Sequence, residues 1–439
     1  MKSIRRLFTC ITLLVMTQNP AFSAPSSIDH YKMGNEKAAA GEYRSAIVEY
    51  TKAIKQDPKS AQSYNNRGAV KIALGEHHGA LADYQKAVTL KPDYAEAYYN
   101  SGVVKSELGD FTGAVADYTK ALALNPRLTS IYFNRATAKG SLGDNEGALA
   151  DYSLAIEANA DHADAYNNRA VIKNKAGDKE GAIADLVKAA QAYFKIALAR
   201  AEKGDNKGAI ALYTRVIAIS SKNADAYNNR ANAKNNLDDK EGALADYTKA
   251  IELNPKYVFA YTNRGNLKMR LNDKPGALAD YTKAIELSPK SSDEYLRRGI
   301  AEAIFGQYQQ AIEDYTQAIK YNPQSALAYL NRGNAQEKLE NKKAALADYT
   351  KAIELDPNNA DAYFNRGFVK DEQKDKQGAI ADYTKAIECN PQYAKAYYKR
   401  GIAKSDLGNE KEAVADMQQA AKAGLASAQT LLKSKGMSW

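Results

Sequence analysis

The prolines of this chain keep time. Eight of the eleven fall at 58, 92 and 126, then at 255, 289, 323, 357 and 391, 34 residues apart within each group. Tyrosines repeat at the same interval: 64, 98, 132 and 166, then 193, 227, 261, 295, 329, 363 and 397. Only the step from Tyr166 to Tyr193 is shorter, at 27 residues. A fixed period of this length means a chain of one small motif stacked many times, and it excludes a single compact core. Positions 4 and 24 of the period hold 21 of the thirty tyrosines, which marks them as core rings. Apolar and small residues recur at three- and four-residue spacing, the mark of amphipathic helices. Gly109-Asp110 shows the punctuation between helices: glycine ends one and aspartate caps the next. An Asn-Pro step then stops the second helix, because a residue before proline avoids the α region.

The period predicts twelve repeats, starting at 27, 61, 95, 129, 163, 190, 224, 258, 292, 326, 360 and 394. Their text is close to A-Y-x-N-R-G, L-G-D-x-x-G-A-x-A-D-Y-T-K-A-I-E-L-N-P, and it resembles the tetratricopeptide repeat. Gly102, Ala114 and Ala121 stand at that family's small positions 8, 20 and 27, Tyr118 at its aromatic position 24 and Pro126 at position 32. The resemblance covers residues 27–427. It implies an all-α, right-handed superhelical solenoid of about twelve helix-turn-helix repeats, closed by a C-terminal cap helix. The fifth repeat, 163–189, lacks seven residues, close to two helical turns. The buried face survives that loss but the turn and its proline do not. One long helix, or two helices in near-continuity, is therefore expected from Lys179 to Lys203, dividing the chain into repeat blocks 27–189 and 190–427. Residues 428–439 are expected to form the solvating cap that a terminal repeat needs.

The N-terminus reads differently. Lys2, Arg5 and Arg6 precede a mostly apolar Leu7–Thr17 segment and Ala21-Phe22-Ser23. That order is a secretory signal peptide over residues 1–23, cleaved after Ser23, which places the chain outside the cytoplasm, in the periplasm or secreted. No apolar run is long enough to span a bilayer. Removing the leader lowers the formal net charge from +9 to +6 and leaves Cys389 alone, expected as a buried thiol.

Position 6 holds Asn66, Asn100, Asn134, Asn168, Asn229, Asn263, Asn331 and Asn365, and otherwise only cations: Lys32, Lys195, Arg297 and Lys399. Position 9 adds Asn232, Asn266 and Asn334. By the resemblance, positions 2, 6, 9 and 13 line the concave groove. A row of amides can grip a peptide group at both N–H and C=O. It is similar to the asparagine ladder of O-GlcNAc transferases, although no glycosyltransferase domain follows. Asn334, Asn365, Lys395 and Lys399 also match most of the carboxylate clamp of chaperone-adaptor repeats, with Leu330 where the clamp has its first lysine. Aromatics such as Phe133, Phe194, Phe259 and Phe364 are expected to add apolar contacts. The partner implied is a protein or extended peptide, acidic or C-terminal.

Arginine at position 7 and aspartate at position 23 recur together, and repeat 6 loses both as Ile196 and Leu212. A hairpin turning at positions 15 and 16 brings them level, so they read as structural ion pairs. Catalytic and cofactor motifs are absent, and the four histidines have no metal spacing, His77-His78 reading as an exposed loop. Interleaved acids and bases argue against nucleic acid. The expectation is a non-enzymatic binding scaffold of the cell envelope. Two alternatives are an accessory subunit docking an enzyme by its convex face and a cytosolic adaptor.

Overall fold

The computed structural model describes residues 25–439. The expected leader, 1–23, lies outside them. The described residues form helices joined by tight turns, with no strand among them. Repeats 1 to 4 are the hairpins α1 (Ser27–Ala39) and α2 (Tyr43–Gln56), α3 (Ala61–Ala73) and α4 (His77–Leu90), α5 (Ala95–Glu107) and α6 (Phe111–Leu124), α7 (Ser130–Ser141) and α8 (Asn145–Ala158). Repeat 5 begins with α9 (Ala163–Lys175). Its second helix continues into repeat 6 as α10 (Lys179–Glu202), 24 residues without a break, followed by α11 (Asn206–Ile219). Repeats 7 to 9 are α12 (Ala224–Asn236) and α13 (Lys240–Leu253), α14 (Val258–Arg270) and α15 (Lys274–Leu287), α16 (Ser292–Ile304) and α17 (Tyr308–Tyr321). Repeats 10 to 12 are α18 (Ala326–Lys338) and α19 (Lys342–Leu355), α20 (Ala360–Glu372) and α21 (Lys376–Cys389), α22 (Ala394–Asp406) and α23 (Glu410–Lys422). Helix α24 (Ala426–Ser434) closes the array and buries Ala428 and Leu432 against Met417 and Ala420. The chain divides into two compact units, one ending at Tyr193 and one beginning at Phe194.

Each hairpin follows from its residues. Asp110 accepts from the Gly113 amide and caps α6, as Asp144, Asp239 and Asp375 cap their own helices. Position 15 is left-handed throughout, φ +84° at Gly109. In four repeats that strained position is held by Asp238, Asn272, Glu340 and Lys374, at φ between 60° and 68°. Position 8 is small because the position-24 ring lies on it: a Cβ on Gly333 would come within 2.7 Å of Tyr349.

The position-7 and position-23 pairs are present and larger than pairs. Arg264 donates from Nε and Nη2 to Asp280 at 2.9 and 2.7 Å. Its Nη1 reaches back to Thr248 of the preceding repeat at 3.1 Å, and its plane lies over Tyr261. Lys268, one turn further along α14, holds the same Asp280 oxygen at 2.9 Å. The same arginine–aspartate fork joins Arg67 to Asp83, Arg169 to Asp185, Arg332 to Asp348 and Arg400 to Asp416. Each network ties the two helices of a repeat and links that repeat to the one before. Burial pushes Asp185 upward, but hydrogen bonds from Arg169 and Lys173 outweigh it and hold the carboxyl below its ordinary range.

Two expectations are corrected. Cys389 is half-buried, with Sγ 3.8 Å from the Pro357 carbonyl oxygen, because position 30 lies at the edge of the hairpin. His77 and His78 are helical, at the start of α4, where His77 Nδ1 donates to the Gly75 carbonyl oxygen at 2.8 Å.

Candidate functional site

Within each unit the first helices of neighbouring repeats touch one another, as α5 meets α7 and α20 meets α22. Their position-6 side chains therefore share a face. The asparagines there are all half-buried. Their hydrogen bonds run sideways, along the array. Asn66 donates to Tyr31 Oη at 3.1 Å and Asn35 Oδ1 at 3.0 Å. Asn100 donates to Asn65 Oδ1 and Asn134 to Tyr99 Oη, while Asn168 reaches Tyr152 Oη at 3.4 Å. In the second unit, Asn263 donates to Asn228 Oδ1 and Asn365 to Asn334 Oδ1, and Asn229 accepts from Asn228. Asn331 forms no side-chain hydrogen bond among the described residues. A partner 31 or 35 positions earlier is position 9 or 5 of the preceding repeat. The ladder is thus first an internal seam, and the picture of amides standing wholly open to a ligand is amended. A bond to one neighbour uses one amide hydrogen and leaves the other hydrogen and carbonyl capacity.

Position 9 has a different office. Asn232, Asn266 and Asn334 accept the hydroxyls of Tyr247, Tyr281 and Tyr349 at 2.6, 2.8 and 3.0 Å. These rings are buried, and burial pushes the Tyr247 and Tyr281 hydroxyls up to about 12. Where position 9 is Leu198 or Phe368, the buried hydroxyls of Tyr213 and Tyr383 have no partner. The doubled row is therefore a set of tyrosine acceptors, with only the Nδ2 side left for other use.

The cations divide too. Lys195 on α10, Arg297 on α16 and Lys395 on α22 are exposed, whereas Lys399 is half-buried with Nζ 4.8 Å from the Phe368 ring centre. Of the expected aromatics, Phe133, Phe194 and Phe364 pack on Tyr152, Tyr213 and Tyr383, and only Phe259 stands 69% exposed.

One place gathers several of these groups. A cavity of about 410 Å³ in the last three repeats is lined by Asn334, Glu337, Lys338, Tyr349, Phe364, Asn365, Phe368 and Lys399. It joins two amides, Lys399 and the Glu337–Lys338 ion pair to two phenyl rings. Sequence reasoning found Asn334, Asn365 and Lys399 but missed Phe368, whose signal was an aromatic at position 9 where the preceding repeat carries asparagine. Lys395 does not line it, and Leu330 is buried in the hairpin core below. Among the described residues no cluster of metal-ligating side chains occurs, and no helix is long and apolar enough to cross a membrane.

Models of the tetratricopeptide repeat match residues 34–128, 133–193, 197–257, 260–291 and 305–423, most of the chain. The chain belongs to the TPR family. Its repeats match several TPR models in alternation, TPR repeat at 34–75 and 372–408 and tetratricopeptide repeat at 95–128 and 326–359 among them. No curated protein sequence matches the chain. Solved TPR structures similar to it include MamA, 30% identical over 38% of this chain and 96% of its own, at a TM-score of 0.36. YrrB, described as a TPR protein with an unusual peptide-binding site, is 26% identical over 43% of this chain and 97% of its own, at 0.37. A TPR protein from Parabacteroides merdae is 20% identical over 56% of this chain and 97% of its own, at 0.44.

Proposed function

We propose that this TPR chain is a non-enzymatic scaffold that binds a protein or extended peptide on the face of its first helices, anchored in the cavity of repeats 10 to 12. The meeting of Lys399, Asn334 and Asn365 with Phe364 and Phe368 carries this reading. Lys399 and the asparagine Nδ2 groups supply donors, which suit a carboxylate, and a charge-assisted bond is the stronger kind. The two phenyl rings suit an apolar side chain beside it. The family's clamp for two carboxylates has a further lysine where this chain has Leu330, and Glu337, which also lines the cavity with its charge met by Lys338, repels a second negative charge. The ligand chemistry is therefore one carboxylate next to an apolar residue, as at the end of a chain whose last side chain is apolar. Exposed Lys395 adds favourable charge nearby, and Arg297, Lys195 and the remaining amides of the same unit extend the face for the rest of an extended ligand. With an export leader at 1–23, the partner belongs to the cell envelope, and the role is assembly or organisation of a complex there.

The test is an array of heptapeptides with apolar last residues, each made with a free and an amidated C-terminus, probed with the parent protein and with Lys399→Ala. Capture that needs the free carboxylate and drops in Lys399→Ala supports the anchor. Capture indifferent to both would reject it and move recognition to the second-helix face.

A further inference from the structure

Repeat 9 breaks the charge pattern of the array. At position 11 most other repeats place a lysine on the position-23 carboxylate, as Lys71, Lys139, Lys268 and Lys370 do, while repeat 10 has the neutral Gln336. Two cations thus surround one anion. Repeat 9 has Glu302 at that position, so Arg298 alone faces two carboxylates. Arg298 is already committed: Nε and Nη2 each donate to Asp314 at 2.7 Å, and Nη1 donates to Thr282 of α15. Its Nε is 3.9 Å from Glu302 Oε1. Glu302 is only 9% exposed, and its Oε2 is buried without a hydrogen-bond partner. A buried ionised oxygen in that state is costly.

We propose that Glu302 is a proton switch that clamps α16 on α17 when protonated and loosens that hairpin when ionised. Protonated, Glu302 becomes a donor with the Asp314 carboxylate beside it as acceptor, so one proton takes the place of the missing lysine. Ionised, it puts a second negative charge against Asp314 with no added cation. The charged groups acting on it are Arg298 of its own helix and Asp314 and Glu313 of α17. Packed nearby, α15 contributes the neutral Thr282 and α18 the apolar Ala335. Burial first, and then Asp314, push the Glu302 carboxyl up to about 7, against the opposing pull of Arg298. The folded hairpin therefore holds this proton more tightly than the unfolded chain does. Its stabilisation is complete below the ordinary glutamate range, about 4.3, and is lost as pH rises through about 7. Glu294, also buried on α16 and raised by burial, accepts from Thr262 at 2.8 Å and so keeps a donor when ionised.

Hydrogen exchange of the full chain at pH 5.5 and 8.5, corrected for intrinsic rates, tests this. Protection over residues 292–321 should fall at least tenfold relative to 326–355 as pH rises. Glu302→Gln should remove most of that dependence, and Glu302→Lys, which restores the lysine most repeats carry, should keep protection high at both values. An unchanged ratio in the parent overturns the proposal, and that result stands even if a variant fails to fold. Full pH dependence surviving in Glu302→Gln overturns it as well.

Discussion

The hydroxyl of Tyr349 donates to Asn334 Oδ1 over 3.0 Å, and the same oxygen accepts from Asn365 of the next repeat. One amide thereby satisfies a buried core ring, ties two repeats and borders the candidate cavity. Asn334→Ala should destabilise by about 1–3 kcal/mol, because it strands a buried hydroxyl. Tyr383→Phe should be neutral or stabilising, since that hydroxyl has no partner to lose. Urea-induced unfolding of both variants checks the contrast. A larger loss in Tyr383→Phe than in Asn334→Ala would contradict the assignment.

The arginine–aspartate–lysine networks predict a sharp asymmetry between breaking and removing a pair. Asp280→Ala leaves Arg264 and Lys268 without their anion and should cost about 3 kcal/mol. Arg264→Leu and Lys268→Leu combined with Asp280→Leu should cost clearly less, because no half-buried charge is stranded. At Asp185, whose carboxyl is held low, the stabilisation is present above about pH 4 and lost as pH falls through the lowered value. Acid unfolding of the parent should therefore be steeper than that of Asp185→Asn.

Lys374 occupies a left-handed turn, φ 68°, where most repeats carry glycine. Lys374→Gly should raise stability by about 1 kcal/mol, by relieving the Cβ clash of that conformation. The midpoint of thermal unfolding reads it. A decrease would show that the lysine side chain contributes more than its backbone strain removes.

The fold was legible because one period carried every helix boundary, and the seven-residue deletion announced α10 by removing the only breaker between two helices. The Arg264–Asp280 pairing was legible because both residues sit on one hairpin, whose turn sets their level. Lys268 was missed although its signal, a lysine four residues after most of these arginines, was present. The site was less legible. Whether Asn365 meets Asn334 depends on how one repeat is offset against the next, and a single repeat's spacing does not encode that offset. The same limit hid the use of position 9 as a tyrosine acceptor. Cys389 was misjudged because an apolar position at the end of a hairpin is not a buried one.

The central claim is that recognition lies in the cavity of repeats 10 to 12, while most of the asparagine row is an internal seam. A calorimetric titration tests it most directly, using the strongest free-carboxylate peptide from the array against the parent, Lys399→Ala, Asn365→Ala and Asn100→Ala. The account predicts at least tenfold weaker binding for Lys399→Ala and Asn365→Ala and parent-like affinity for Asn100→Ala, whose amide bonds Asn65 in the other unit. Equal loss in all three, or none in Lys399→Ala, would contradict it.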